Sequence, residues 1–291
     1  MSSKPSGKVA YQGEPGANSH IACLEARPDH EPMACRTFED AFQAVKDGVA
    51  DLAMIPIDNS VAGRVADIHH LMPQSNLSII GEHFLPVHHQ LLIKKGADAK
   101  KITSVHSHVH ALGQCRKVIR ERGFKAVVAV DTAGAARELS ESNDLTRAAI
   151  ASKLAAEIYG LEIIAEDIED EAHNTTRFVI LSPSRQDAEQ GKGDVITSFV
   201  FRVRNVPAAL YKAMGGFATN GINMTKLESY QLEGMFSATQ FYADIEGHPE
   251  DRSVRLALEE LAFFTSYMRV LGVYPASPYR AEIARRMGSV G

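Results

Sequence analysis

A break in periodicity between Ser182 and Asp194 constrains the fold of this chain more than any other feature. Pro183, Gly191 and Gly193 stand there among charged residues without apolar rhythm, so the stretch has little to bury and reads as a linker over 184–194. Before it, the strand-like runs Val9–Tyr11, Asp51–Ile55, Leu91–Ile93, Ala126–Val130 and Phe178–Leu181 alternate with helical patterns, which predicts an α/β region over 8–183. Thr37-Phe-Glu-Asp40 offers a capping hydroxyl and first-turn acids for one of those helices, and Lys46-Asp-Gly48 closes it. Beyond the break, Val195–Val203 reads as a strand. Pro207 suits a first helical turn, and Leu210, Met214, Phe217 and Ala218 share a helical face that stops at Asn220-Gly221. Strand patterns over 222–228 and 236–245 flank a turn at Glu233-Gly234. A helix from Glu250 carries Val254, Leu258 and Leu261, and 267–273 is a last strand. The order βαββαβ over 195–275 is the split, ferredoxin-like arrangement, followed by a tail over 276–291 with a short helix at Tyr279–Met287.

A length of 291 residues exceeds what one small core organises, so at least two domains are expected. No apolar run reaches the roughly 20 residues of a bilayer span, and the polar start Met1–Lys8 lacks a secretory core. The expected compartment is cytoplasmic, with no membrane partner. Cys23, Cys35 and Cys115 are odd in number and far apart, which fits reduced thiols rather than disulfides or a thiolate metal site. A formal charge of −5 with scattered basic residues leaves no footprint for a phosphate backbone, so nucleic acid is not an expected partner.

Four segments concentrate polar groups. Tyr11–His20 leaves a strand through Gly13 and Gly16 and enters a helix near Ala17; with Ser19 it makes either an anion site of backbone N–H groups or an ordinary turn. It fits neither a P-loop nor G-x-G-x-x-G, so no nucleotide cofactor is expected. Ile55–Gly63 crowds Asp58, Asn59 and Ser60 at a strand end, where open α/β sheets face their ligand crevice, although these are also turn residues. In Val105–His110 the alternate histidines lack partners at metal-like spacing. A helix starting at Ser107, with Ala111, Leu112, Cys115 and Val118 buried, is preferred, and His108 and Gln114 then face a cleft or solvent. His69-His70 and His88-His89 read as solvated or core-edge. Ala172–Leu181 leads a polar cluster into a strand, where Arg177 either forks onto a carboxylate or makes a surface ion pair and Thr176 can hydrogen-bond a leaving oxygen.

Taken in order, these segments resemble the prephenate dehydratase family from Val9 to Tyr274. Gly13-Glu-Pro-Gly-Ala-Asn-Ser19 is similar to its G-x-x-G-x-x-S turn and Pro56-Ile-Asp-Asn-Ser60 to its P-I-E-N-S segment. Ser107-His108 with Ala111-Leu112 and Gln114-Cys115 resembles its S-H-P-x-A-L-x-Q-C start, and Thr176-Arg177-Phe178 its T-R-F signature. Pro207–Met214 and Gly221–Ser229 resemble the phenylalanine-binding segments of an ACT domain, with Ala208 in place of a Gly and Tyr230-Gln231 in place of Arg-Pro. The resemblance implies a two-lobed catalytic region like a type II periplasmic binding protein, plus a ferredoxin-like ACT domain. It implies conversion of prephenate to phenylpyruvate, CO2 and water under phenylalanine control, without cofactor or metal, in a homodimer or homotetramer. Thr176 and Arg177 are the expected catalytic pair. Ser19, Asn59, Ser60, Ser107, His108, Gln114, Thr132, Asn174 and Phe178 are the expected substrate contacts. Ala208, Ala209, Leu210, Asn223, Leu227, Glu228 and Ser229 are the expected effector contacts. Arogenate as substrate and a non-catalytic amino-acid-sensing protein are the alternatives, and catalysis and regulation are expected to separate at the linker.

Overall fold

Three sheets organise the residues described by the computed structural model, which are 6–65, 68–171, 173–204, 206–231 and 238–288. The first contains β1 (Gly7–Gln12), β2 (His30–Cys35), β3 (Leu52–Asn59), β5 (Ser78–Pro86) and β11 (Thr175–Ser182) in the order β2-β1-β3-β11-β5. The two-residue strand β4 (Gly63–Arg64) turns back on the end of β3. β1 runs parallel to both β2 and β3, which demands crossover helices, supplied by α1 (Asn18–Ala26) and α2 (Phe38–Lys46). The capping box is formed: the Thr37 hydroxyl accepts the Asp40 N–H at 3.1 Å while the Asp40 carboxylate accepts the Thr37 N–H at 3.2 Å.

The second sheet contains β6 (Gln90–Ile93), β7 (Ser104–Ser107), β8 (Lys125–Val128), β9 (Arg147–Ala151) and β10 (Glu162–Ala165), ordered β10-β6-β9-β7-β8. Its strands alternate cleanly. Leu91, Ile93, Val105, Ala148 and Ile150 pack with Ala111, Leu112 and Cys115 of α4 (Val109–Gln114) and its C-cap. Leu92, Ala149 and Ala151 pack against α6 (Thr132–Glu141) and α7 (Lys153–Tyr159) on the other side. The short α5 (Arg116–Glu121) follows α4 directly. The lobes built on the two sheets meet at the Gly16 loop. The Ser152 hydroxyl donates to Gly16 O at 2.5 Å, the Tyr159 hydroxyl donates to Pro15 O at 3.0 Å, and a Cβ at Gly16 would lie 2.6 Å from the Ala155 Cα. Gly16 also has φ +91°, so glycine is required there twice over. The two-lobed α/β arrangement expected from the sequence is therefore present.

The third sheet is antiparallel and ordered β13-β14-β12-β15, from β12 (Val195–Val203), β13 (Met224–Gln231), β14 (Ala238–Glu246) and β15 (Thr265–Pro275). α8 (Ala209–Thr219) and α9 (Arg252–Phe264) pack Phe217, Val254, Leu258 and Leu261 onto Phe199, Phe201 and Phe241. This is the ferredoxin-like βαββαβ. Pro207 precedes α8 rather than opening it, because Ala208 is the N-cap. The turn at Glu233-Gly234 lies outside the described residues. α10 (Pro278–Gly288) is the tail helix, and no helix among the described residues is long and apolar enough to cross a membrane.

By its internal contacts the chain forms two compact units, Met1–Val65 with Phe84–Phe178, and Ala66–His83 with Val179–Gly291. The division runs through β5 and β11 rather than along the linker. Within the second unit, the segment carrying α3 (Ile68–Gln74) and the first part of β5 packs on the ferredoxin-like sheet and its tail. Arg269 Nη1 donates to Pro73 O at 2.7 Å, and the His70 ring meets Tyr230 edge-on at 5.7 Å. Glu82, whose side chain is fully buried, accepts the Ser277 N–H at 2.9 Å and a guanidinium fork from Arg280 at 2.7 and 2.9 Å. Removing one partner of a buried pair leaves a charge without its counterion, so Arg280→Ala is expected to destabilise the fold by about 3 kcal/mol. Urea unfolding followed by circular dichroism measures this; an unmoved midpoint would show that Glu82 is held by its other contacts.

Candidate active site

Within the first unit, a pocket of about 360 Å³ opens where the two lobes meet. One wall is the end of β3 and the start of β11. The Asn59 Oδ1 accepts the backbone N–H groups of Val61 at 3.0 Å and Ala62 at 2.7 Å, which forces its Nδ2 to donate outward. That nitrogen donates to Thr176 Oγ1 at 3.0 Å and to Asn174 Oδ1 at 2.8 Å. Because the Thr176 oxygen accepts this bond, its own hydrogen is left to a pocket occupant. Asn174 Nδ2 in turn donates to Gln114 Oε1 at 2.7 Å, and the same oxygen lies 2.9 Å from His89 Nε2.

The opposite wall is made of helix starts. α1 has no side-chain cap and no acid in its first turn, and Gly13, Ala17, Asn18 and Ser19 line the pocket there. Its unpaired N–H groups and dipole give the pocket a positive end without a formal charge. Asp131 and Thr132 at the start of α6 also line it; the Asp131 carboxylate accepts the Gly134 N–H at 2.6 Å. No Lys or Arg is among the described lining residues.

Of the expected residues, Ser19, Asn59, His108, Gln114, Thr132, Asn174, Thr176 and Phe178 line this pocket. Three do not. Arg177 alternates with Thr176 and Phe178 along β11, so its side chain leaves by the other face. It is buried there, with Nη1 3.7 Å from Asp58 Oδ2 and its guanidinium carbon 6.0 Å from the Phe84 ring centre. Ser60 ties strands instead: its hydroxyl donates to His173 O at 2.7 Å and accepts the Thr175 N–H at 2.9 Å. Ser107 ends β7 rather than capping α4. It is fully buried and donates to Ile150 O at 2.6 Å, while His108 takes the cap position and its Nδ1 accepts the His110 N–H at 3.4 Å.

Sequence reasoning passed over Gln12, Asn18, His110, Asp131 and above all His89, which was expected to be solvated or at a core edge and is instead buried in the pocket wall. Its signal was its place three residues after the end of β5 and directly before Gln90 and the apolar run of β6. His106 faces Arg147, whose Nη2 is 3.2 Å from its Nδ1, so a guanidinium occupies the side that a metal would need. Elsewhere His88, Asp167 and Glu169 bring ligand-type atoms within 4.8 Å, but Glu169 already accepts the His89 N–H at 2.9 Å and lies 2.9 Å from His88 Nδ1. The three cysteines are free and buried; burial pushes the Cys23 thiol up to about 12.

In the second unit, Ala208 and Ala209 start α8, Leu210 is half-buried, and Asn223, Leu227, Glu228 and Ser229 lie on or just before the edge strand β13. Ala208 adopts φ +60°, a left-handed conformation that costs an L-residue roughly 1–2 kcal/mol relative to its right-handed form.

The sequence model described as prephenate dehydratase matches residues 9–186, more than half of the chain. The chain belongs to the prephenate dehydratase family. It is 50% identical over 274 residues to the bifunctional N-acyl-homoserine lactone acylase/prephenate dehydratase of Komagataeibacter europaeus, covering 94% of this chain and 98% of the relative. It is 38% identical over 278 residues to arogenate dehydratase/prephenate dehydratase 2 of Arabidopsis thaliana, covering 92% of this chain and 72% of that protein. Among solved structures, the prephenate dehydratase of Arthrobacter aurescens in complex with L-phenylalanine superimposes with a TM-score of 0.83 at 29% identity, covering 97% of this chain and 98% of that one. Membership in this dehydratase family places the chain among lyases of aromatic amino acid biosynthesis.

Burial lowers the proton affinity of His20, His89, His106 and His108 below the ordinary histidine range. The unfolded chain then binds protons more readily than the fold, so this stability is present above the unfolded histidine pKa and is lost as pH falls through the folded values. The thermal midpoint is expected to fall on acidification from neutral pH, less steeply in His89→Gln; equal slopes for both proteins would remove His89 from the account.

Proposed function

We propose that the pocket converts prephenate to phenylpyruvate and that phenylalanine acts on the ferredoxin-like region, an ACT domain in this reading. The observation that carries the first part is the Thr176 hydroxyl, which lines the pocket and accepts the Asn59 Nδ2 donor at 3.0 Å, so that its own hydrogen can serve a bound oxygen. As the carboxylate carbon leaves as CO2, the electrons of the broken C–C bond enter the ring and expel the ring hydroxyl, and one proton turns that hydroxide into water. The gain of aromaticity drives the step, so the protein has to align two bonds and stabilise one leaving oxygen. Thr176 donates a hydrogen bond to that oxygen; as a weak acid it relies on solvent for the net proton. The N-terminus of α1 with Ser19, and Thr132 at α6, suit the substrate carboxylates through dipoles and hydroxyls. Arg177, expected to hold a carboxylate, serves this reading better as the ion pair that fixes β11 beside Asp58.

The second part rests on the ferredoxin-like topology and on the L-phenylalanine bound to the Arthrobacter relative. Ala208, Ala209 and Leu210 at the start of α8, and Asn223, Leu227, Glu228 and Ser229 on or just before the edge strand β13, are the proposed contacts, and that edge of the sheet is where a second copy would sit in a dimer or tetramer. Arogenate is a second substrate reading because plant relatives carry that name, and acyl-amide cleavage is a third because the 50% relative carries that one.

One experiment separates these readings: product formation from prephenate, arogenate and an N-acyl-homoserine lactone, with and without phenylalanine. Phenylpyruvate from prephenate is expected to dominate and to change in rate with phenylalanine. Thr176→Ala is expected to lose roughly 10²-fold or more in kcat with KM little changed. Turnover near the parent's in that variant would remove Thr176 from the chemistry, and a rate indifferent to phenylalanine, without calorimetric binding, would remove the sensor.

A further inference from the structure

We propose that His89 is a positioning residue for the dehydration, acting on Thr176 through the chain Gln114–Asn174–Asn59. The inference rests on the reading that the Thr176 hydroxyl serves the leaving oxygen. Its starting point is a polarity that geometry fixes. Backbone N–H groups only donate, so Val61 and Ala62 settle which end of the Asn59 amide is oxygen. Every later link follows: Asn59 Nδ2 donates to Asn174 Oδ1 at 2.8 Å, and Asn174 Nδ2 donates to Gln114 Oε1 at 2.7 Å. His89 Nε2, 2.9 Å from that same oxygen, must therefore carry the proton and donate. Two donors converging on one oxygen hold the Gln114 amide in a single orientation.

Without the His89 donor, Gln114 Oε1 keeps the Asn174 bond alone. The polarity set at Asn59 opposes a turnover of either amide, so the Gln114 side chain instead shifts off its fixed position, and Asn174, whose Nδ2 donates to that oxygen, shifts with it beside Thr176. Side-chain amides do not titrate at neutral pH, so this chain transmits orientation and not protons. His89 is itself fixed: it is 4% exposed, its N–H donates to Glu169 Oε2 at 2.9 Å, and its carbonyl accepts the Ile168 N–H at 2.9 Å. Burial keeps the ring neutral, which suits a group that must donate from one nitrogen without bringing charge beside a dianionic substrate.

The test compares His89→Leu, which removes the donor, with His89→Gln, whose amide can supply one, each alone and combined with Thr176→Ala. In the parent, H89L is expected to lower kcat on the order of 10-fold or more with KM within about 3-fold, and H89Q to stay within about 3-fold of the parent. In the T176A background H89L is expected to cost nothing further, because the group it positions is gone. A parental kcat in H89L, a rise in KM alone, or the same loss in the T176A background would overturn the inference; the last two would make His89 a direct substrate contact. If H89L does not fold, Gln114→Met must show the same kcat loss and the same non-additivity, and parental turnover there overturns it equally. A parent that does not dehydrate prephenate or arogenate, or a T176A variant at the parental rate, sinks the underlying reading and this inference with it. A slow T176A beside a normal H89L sinks this inference alone.

Discussion

The carboxamide of Asn59 is the constraint on which the pocket depends, because two of its bonds go to backbone and two to side chains. The backbone pair closes the turn after β3 and the side-chain pair ties that turn to the first residues of β11. An unpaired buried amide group costs roughly 1–3 kcal/mol. Any rearrangement of this wall therefore breaks several bonds together, and the pocket is held rigid before a substrate arrives. Ser60 repeats the tie one residue later through His173 and Thr175.

Apart from the Asp131 carboxylate, which is tied to the Gly134 N–H, the electrostatics of the pocket are a matter of dipoles. Arg177, the nearest guanidinium in the sequence, is spent on Asp58 behind the wall, and the lining offers helix starts and hydroxyls. Fixed dipoles favour an anion without a bulky cation, and for the proposed reaction they need no reorganisation as charge moves from the departing carboxylate into the ring.

The sequence made the large pattern legible and hid the faces. The α/β character of the first region, the Thr37 capping box and the βαββαβ order follow from local periodicity, and the fold agrees with them, whereas the compact units divide through β5 and β11 and not at the linker. β9 escaped because Arg147-Ala-Ala-Ile-Ala has poor strand propensity; its alanines succeed as strand residues because α6 and α7 pack close over them. β2 escaped because Pro32 and Glu31 sit in it, which an edge strand tolerates. Candidate residues at strand ends were found as a group, but the side on which each points was not. Thr176 and Arg177 looked equivalent until the register of β11 separated them, and Ser107 looked like a cap until a carbonyl of β9 claimed its hydroxyl. His89 had no local motif at all, since its role comes from Gln114 and Asn174, 25 and 85 positions away by sequence number.

The excursion of 68–83 bears on how such a chain can be recombined. The family match covers this segment, yet Ile79 and Glu82 are buried in the unit that contains the ferredoxin-like sheet. A Cβ on Gly272 of β15 would lie 2.1 Å from the Ile79 carbonyl oxygen, so that strand admits only glycine where the segment crosses it. A chimera that swaps the C-terminal region at the linker would have to reproduce a surface written partly in the catalytic gene segment, including Arg269, Gly272 and Arg280 opposite Pro73, Ile79 and Glu82. The ferredoxin-like region is thus not a portable cassette, and the two parts of the gene are bound to drift together.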